Sequence, residues 1–341
     1  MNRPFIGISM GDPAGVGPEV ILKHLIYDHS SKYKVVVFGS KDVFEFYLDR
    51  FNLAMQINSI SSLDSITKEF KEGELNIVEV GEFDINDLTI GKVNKKCGDI
   101  AFKSFTKAIE AAKKNLVHAI VTAPFSKEAV NLAGHKYAGH TEILAEMTGV
   151  KDYVMMLAAK RFRIALVTTH VALRDVPKLI TKESVLKTIR ITNSDLKKWF
   201  GIENPRIAVA SLNPHNSEGG LMGDEEEKYI IPAIKQARSE GINVEGTFSA
   251  DTIFVREKRS KYDCFVTMYH DQGLSVLKAL YFDSSVNITL GIPIIRTSPD
   301  HGTAFDIAGK FVANHRSFTE AVRQAYRMAR WKQRKNLGST F

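Results

Sequence analysis

A chain of 341 residues is long for one hydrophobic core, so two domains are expected. Its 44% hydrophobic and 25% charged residues are ordinary for a soluble globular enzyme. The net charge, 46 − 39 = +7, is mostly dispersed, and no apolar stretch approaches the ~20 residues that span a bilayer.

The N-terminus enters a strand-like run, Phe5–Met10, without the basic, apolar and small-residue regions of a signal peptide. The run leads into Gly11-Asp12-Pro13-Ala14-Gly15-Val16-Gly17-Pro18-Glu19 and a helix over Glu19–Tyr27, with Pro18 suited to its first turn. Glycines here let backbone amides approach a ligand, and a helix N-terminus favours an anion. The spacing is not G-x-G-x-x-G, and a tight strand-to-helix turn explains it equally well. Val35–Phe38, Ile77–Val80 and Ala119–Thr122 read as strands. Ala101–Lys114 reads as a helix, because Ala101, Phe105, Ala108, Ile109 and Ala112 share one face. Gly139-His140-Thr141-Glu142 precedes a helical run, Ile143–Thr148; Thr141 either caps it or, with His140, contacts a phosphate or substrate. Ser184–Phe200 is a further helix. This alternation predicts an α/β fold with a largely parallel sheet, and the lack of a Pro/Gly/Ser linker predicts interwoven domains.

Three apolar runs stop at a histidine. Arg163–Val167 leads to His170, Ile207–Leu212 to His215, and Asp263–Met268 to His270. If the runs are buried strands of one parallel sheet, all three imidazoles sit at carboxyl ends, the edge where open α/β sheets bind ligands. Three neutral imidazoles with an open fourth position make a catalytic divalent-metal site; three unrelated, hydrogen-bonded histidines are the plain alternative. Asp251 is a candidate carboxylate nearby, or a helix cap. Tyr269-His270-Asp271-Gln272-Gly273 is followed by Lys278, which suggests a site. A strand over Val286–Arg296 carries Asn287 inside an apolar run and Arg296 at its end, and both need partners. A guanidinium matches a carboxylate or phosphate, or closes a structural salt bridge. The polar stretch Thr297–Lys310 offers amides, hydroxyls and the His301 imidazole to a ligand, or is a long structural loop. The basic stretch Arg327–Lys335 reads as the end of a solvated helix, and no zinc-finger or RNP signature supports nucleic-acid binding. Cys97 and Cys264 fit no CxxC pattern; Cys264 reads as a buried thiol, and a reducing cytoplasm is the expected compartment.

Taken together, Met10–Glu19, Leu212-Asn213-Pro214-His215, Tyr269-His270-Asp271-Gln272-Gly273 and Asp300-His301-Gly302-Thr303-Ala304 resemble the 4-hydroxythreonine-4-phosphate dehydrogenase family of pyridoxal-phosphate biosynthesis, in the family's order and over nearly the whole chain. The first and last motifs also resemble segments of isocitrate and isopropylmalate dehydrogenases. The resemblance implies two interwoven α/β domains with largely parallel sheets and an interdomain active-site cleft, isocitrate/isopropylmalate dehydrogenase-like. The expected domains are 1–130 plus 285–341 on the cofactor side, and 131–284 on the metal and dimer side. It implies a divalent metal held by His170, His215 and His270, with one histidine supplied by the second copy of a homodimer. Zinc suits the imidazoles best, with cobalt or magnesium as alternatives. It implies substrate contacts from His140, Thr141, Lys278, Asn287 and Arg296, and proton transfer assisted by Asp251 or Lys278. It places NAD or NADP near Gly11, Asp12, His301, Gly302, Thr303 and Asp306. The implied reaction oxidises the hydroxyl of a small phosphorylated substrate, and the β-keto acid then loses carbon dioxide. There are two departures: Ser275 stands where a proline is expected, and Asn216-Ser217 replaces a more usual Ala-Gly. A sister group acts on threonate or erythronate phosphates. A zinc hydrolase and an acyl-phosphate transferase are the alternatives from other classes.

Overall fold

The computed structural model describes residues 3–28, 30–137 and 139–338. Twelve strands run along the described chain: β1 (Phe5–Ser9), β2 (Lys34–Gly39), β3 (Ile57–Ile60), β4 (Leu75–Glu79), β5 (Ala119–Thr122), β6 (Val154–Ala159), β7 (Phe162–Leu166), β8 (Ile207–Ala210), β9 (Val244–Phe248), β10 (Cys264–Thr267), β11 (Val286–Leu290) and β12 (Arg296–Pro299). The chain divides into two compact units, Met1–Val150 with Ile292–Phe341, and Lys151–Gly291. The first unit is built from both ends of the chain, which is the interweaving that the absence of a linker predicts.

In the first unit the strands lie in the order β3-β4-β2-β1-β5-β12, all parallel. Every residue of β1 is buried, as expected of a continuous apolar run covered on both faces. The helix Lys95–Lys113 starts six residues before the expected Ala101, because the Asn94 side chain caps it by accepting from the Lys96 amide. Its apolar face, including Ala101, Phe105, Ala108 and Ile109, joins Val36, Phe38 and Ile120 in the core. Ser104 on that face donates to the Phe38 carbonyl at 2.6 Å and accepts from the Met10 amide at 2.8 Å, which pins the carboxyl end of β1. The helix Arg316–Gly338 buries Phe318, Ala321, Val322, Ala325, Met328 and Ala329, and turns Arg323 and Arg327 to solvent. The basic C-terminal stretch is thus a helix with one wet face.

In the second unit the order is β11-β6-β7-β10-β8-β9; β7, β10, β8 and β9 are parallel, whereas β6 is antiparallel to both its neighbours. The helix Lys182–Phe200 opens with a capping box between Thr181 and Ser184 and ends at Gly201, whose φ of +70° suits a glycine. Phe162, Ile164, Phe254 and Phe265 centre the core.

Two expectations need correcting. Val286–Arg296 is not one strand: the chain breaks at Gly291, where φ is +86° and a Cβ would lie 2.8 Å from the Asp152 carbonyl, so β11 and β12 belong to different units. The unit boundaries also fall at 150 and 291 rather than 130 and 284. Ile143 and Leu144 of the helix His140–Thr148 pack into the first unit's core, and β11 pairs with β6 of the second.

Candidate active site

In the second unit, β7, β10 and β8 are adjacent and parallel, so the segments carrying His170, His270 and His215 leave one sheet edge together. Thr168 donates through Oγ1 to the Met268 carbonyl at 2.7 Å and so ties the His170 and His270 segments. The two rings lie 5.5 Å apart, centroid to centroid. His270 opens the helix His270–Tyr281, and its Nδ1 donates to Asp271 Oδ1 at 2.6 Å. An Asp271 acceptor favours the Nδ1–H tautomer and turns the Nε2 lone pair outward, an arrangement that suits a metal ligand.

His215 stands apart from this pair, on a turn that follows β8. It is exposed, and the Asp251 carboxylate lies near it. Asp251 is itself exposed; a hydrogen bond from Ser249 Oγ at 2.7 Å and the nearby His215 hold its carboxyl below the usual range. It lies in a turn and caps no helix. Among the described residues, no three His, Cys, Asp or Glu side chains of a single chain gather into a complete ligand set. His170 and His270 fit a metal as a pair; His215 presents the same chemistry from the neighbouring strand.

The His215 turn is locally strained. His215, Asn216, Ser217 and Glu218 have φ of +50°, +57°, +59° and +46°. For L-residues the left-handed region costs roughly 1–2 kcal/mol each, less for Asn. The neighbouring backbone is held by the buried Glu226 carboxylate, which accepts from the Leu212 and Asn213 amides and from Asn213 Nδ2. Gln272 bridges the next segment, accepting from the Met268 amide and donating to the Ser211 carbonyl. Lys278 lies half-buried on the helix His270–Tyr281. Asn287 Oδ1 on β11 is buried without a hydrogen-bond partner, the cost the sequence flagged for an amide in an apolar strand.

In the first unit the corresponding edge is desolvated. Arg296 opens β12, is buried, and donates from Nη2 and Nε to Thr122 Oγ1 at 2.7 and 3.2 Å. Burial lowers its pKa to about 10, so it remains charged at neutral pH. His140 stacks on Phe125 at 3.6 Å and meets the edge of Phe105. Burial first, then the charges of Arg296 and Lys127, push its pKa well below the usual value, although a bond to the Ala123 carbonyl opposes this. The imidazole is therefore neutral, with a buried and unpartnered Nε2. Thr141 does not cap the helix: it lies inside the first turn, and the cap is Gly139.

The glycine-rich motif is spent on the chain's own packing. A Cβ on Gly11 would lie 2.4 Å from the Pro124 carbonyl, and one on Gly15 would lie 2.9 Å from the Thr303 carbonyl, which also accepts from the Val16 amide. The first motif thus packs against the loop that follows β12. Glu19 accepts from the Ala313 amide and from Lys23, which also donates to the Phe311 and Ala313 carbonyls. Asp12 is fully buried; burial raises its pKa to about 6, offset in part by hydrogen bonds from the Ala14 and Ser126 backbone. Its Oδ2 has no hydrogen-bond partner. Within the loop, Gly302 and Asp306 are exposed, Thr303 is half-buried, and His301 has a buried, unpartnered Nε2 and a pKa lowered by burial. Sequence reasoning missed Thr122, Phe125, Glu226 and Gln272. Only Gln272 stood in a motif it had singled out, and nothing in the local pattern marks the others.

Imidazoles, a buried guanidinium and glycine-dense loops at the carboxyl ends of parallel strands define an α/β ligand-binding enzyme. The family model described as "Pyridoxal phosphate biosynthetic protein PdxA" matches residues 31–325. A 4-hydroxythreonine-4-phosphate dehydrogenase of Geobacter metallireducens is 46% identical over 97% of each chain. A relative from Oceanobacillus iheyensis, provisionally named a D-threonate 4-phosphate dehydrogenase, is 44% identical over 96% of this chain and 98% of its own. The crystal structure of a 4-hydroxythreonine-4-phosphate dehydrogenase from Klebsiella pneumoniae superposes with a TM-score of 0.88 at 38% identity, covering 96% of this chain and 98% of that one. The chain belongs to the PdxA family, and its named relatives are dehydrogenases.

Proposed function

We propose that this protein oxidises 4-phosphohydroxy-L-threonine with NAD or NADP to 2-amino-3-oxo-4-phosphohydroxybutanoate, which decarboxylates to 3-amino-2-oxopropyl phosphate in pyridoxine 5'-phosphate biosynthesis. The observation that carries this reading is family membership along nearly the whole chain, with 46% identity to a 4-hydroxythreonine-4-phosphate dehydrogenase. His170, His215 and His270 would hold a divalent metal, zinc by ligand chemistry, with one of the three coming from a second copy of the chain. Exposed apolar side chains beside these histidines in sequence, Val171 and Leu173, Leu221 and Met222, support a partner surface there.

A divalent metal held by His170, His215 and His270 would supply Lewis-acid chemistry at the substrate's oxygen, and a bound nicotinamide would supply the hydride acceptor. The protein's own groups orient and neutralise. Arg296, fixed by Thr122, meets an anionic end of the substrate as a planar fork. His140 and Thr141 would hold the phosphate, with burial keeping the His140 imidazole neutral in the free protein. Asn287 offers its unpartnered oxygen to a substrate donor. Lys278 on the helix His270–Tyr281 and Asp251 beside His215 would be the groups that move a proton. His301, Gly302, Thr303 and Asp306 would meet the nicotinamide cofactor, with Gly11 and Asp12 shaping the loop from beneath.

A second reading, the same chemistry on a threonate or erythronate 4-phosphate, is favoured by the Oceanobacillus relative. A panel of the three phosphates, followed by NADH or NADPH absorbance with zinc and with chelator, decides between them. The proposal expects the largest kcat/KM for 4-phosphohydroxy-L-threonine, lost on chelation. A larger value for a sugar-acid phosphate overturns the substrate, and full turnover without metal overturns the metal.

A further inference from the structure

We propose that Glu226 is a positioning residue for His215, holding its strained turn in the shape that presents the imidazole to a metal. The inference rests on the reading of His170, His215 and His270 as metal ligands. Four consecutive non-glycine residues beginning at His215 are left-handed, a conformation that persists only where the surroundings over-determine it. The residues just before the turn supply that constraint. Glu226 is 1% exposed, and Oε1 accepts from both the Leu212 and Asn213 amides at 2.8 Å. Oε2 accepts from Asn213 Nδ2 at 2.9 Å, and Asn213 Nδ2 also donates to Glu225 Oε2 at 2.7 Å. Ser211 Oγ donates to the Asn213 carbonyl at 2.9 Å, and Gln272 carries the Ser211 carbonyl across to the Met268 amide beside His270. Glu226 itself opens a π-turn, Glu226–Ile230, that runs into the helix Ile231–Ser239. Such turns are rare and occur mostly as single turns inside α-helices, frequently at functional sites. The carboxylate reaches back from a helix into the loop of a neighbouring strand, and it satisfies three donors that would otherwise leave His215 on a mobile turn.

The variant that isolates this role is Glu226→Gln. It keeps the size and the two backbone bonds but turns an amide donor toward Asn213 Nδ2, itself a donor. The measurement is the equilibrium zinc affinity of the full chain by competition with a chromophoric chelator, alongside the urea midpoint of the zinc-free protein. Outer groups behind metal ligands typically change affinity by about 10- to 100-fold, and a loss of that size is expected for Glu226→Gln with the zinc-free protein still folded. Asn213→Ala, which removes the side-chain bonds to Glu226 and Glu225 but leaves both backbone bonds to Glu226, is expected to lose about fivefold. Wild-type affinity in Glu226→Gln overturns the proposal, as does a loss no larger than its unfolded fraction explains. If Glu226→Gln does not fold, Asn213→Ala decides, and unchanged affinity there overturns the proposal. His215→Ala measured in parallel separates the two claims. If it binds zinc as the wild type does, the metal reading itself fails and this inference falls with it.

Discussion

The carboxyl edges of the two units carry the same kind of chemistry in opposite states. In the first, Asp12 and Arg296 are buried and His140 is half-buried with its Nε2 sealed off; the pKa of each is moved by desolvation. In the second, His170 and His215 are exposed and flanked in sequence by exposed apolar residues. An edge completed within one unit has already met the cost of removing its polar groups from water, and so shows perturbed ionisation. On the proposed reading, the second edge is completed by a metal and a second copy, and its histidines stay solvated until then. pKa shifts caused by burial would therefore have pointed to the first edge and passed over His170, His215 and His270.

Each side of this comparison can be broken separately. The largest effect is expected from His215→Ala: more than about a 100-fold fall in zinc affinity and NADH formation, since removing a ligand exceeds removing a group behind one. Retained zinc and activity would place the second edge outside the chemistry. Next, Arg296→Lys keeps the charge but loses the fork held by Thr122, so KM for the phosphorylated substrate should rise about 10- to 100-fold. Steady-state kinetics at saturating metal checks this, and an unchanged KM would remove Arg296 from the substrate.

Asp12 tests the desolvated edge without any ligand. Its folded pKa, about 6, is raised above the ordinary 3.8, so its stabilising contribution is full below pH 3.8 and is lost as pH rises through 6. A shift of that size corresponds to about 3 kcal/mol. Asp12→Asn, which mimics the protonated acid, should raise urea stability at pH 8 by up to about that amount and leave it nearly unchanged at pH 4. An equal change at both pH values would show that ionisation of Asp12 is not what the variant relieves. The smallest effect is expected from Thr122→Val, which removes the Arg296 acceptor; KM should rise by a few-fold, about 1 kcal/mol, with kcat little changed.

Much of this was legible in the chain because strand ends are legible. Apolar runs closing on His170, His215 and His270 pointed to the carboxyl edge of a parallel sheet, and β7, β10 and β8 are parallel strands of one sheet; that they are also neighbours is something the runs did not say. Asn287 was marked by polarity inside an apolar run and Arg296 by charge at its end; the structure finds an orphaned oxygen at one and, at the other, a buried guanidinium that opens β12. Glycine density left two readings open, because it signals close backbone approach without saying to what. At Gly11 and Gly15 the neighbour is the chain itself. The break at Gly291 was hidden because Ile292, Ile294 and Ile295 continue the apolar run across it. Glu226 was invisible because a carboxylate in a charged run, Asp224-Glu225-Glu226-Glu227, reads as a solvated face; only the π-turn and the Leu212–Asn213 amides draw this one inside.

The central claim is that the exposed edge is a metal centre completed by a second copy. An anomalous-difference map at the zinc edge, from crystals grown with zinc, tests it directly. The account predicts one peak per chain, ligated by His170, His215 and His270 with one of the three contributed across a two-fold axis. A peak held elsewhere, or no peak at these histidines at full zinc occupancy, would contradict it.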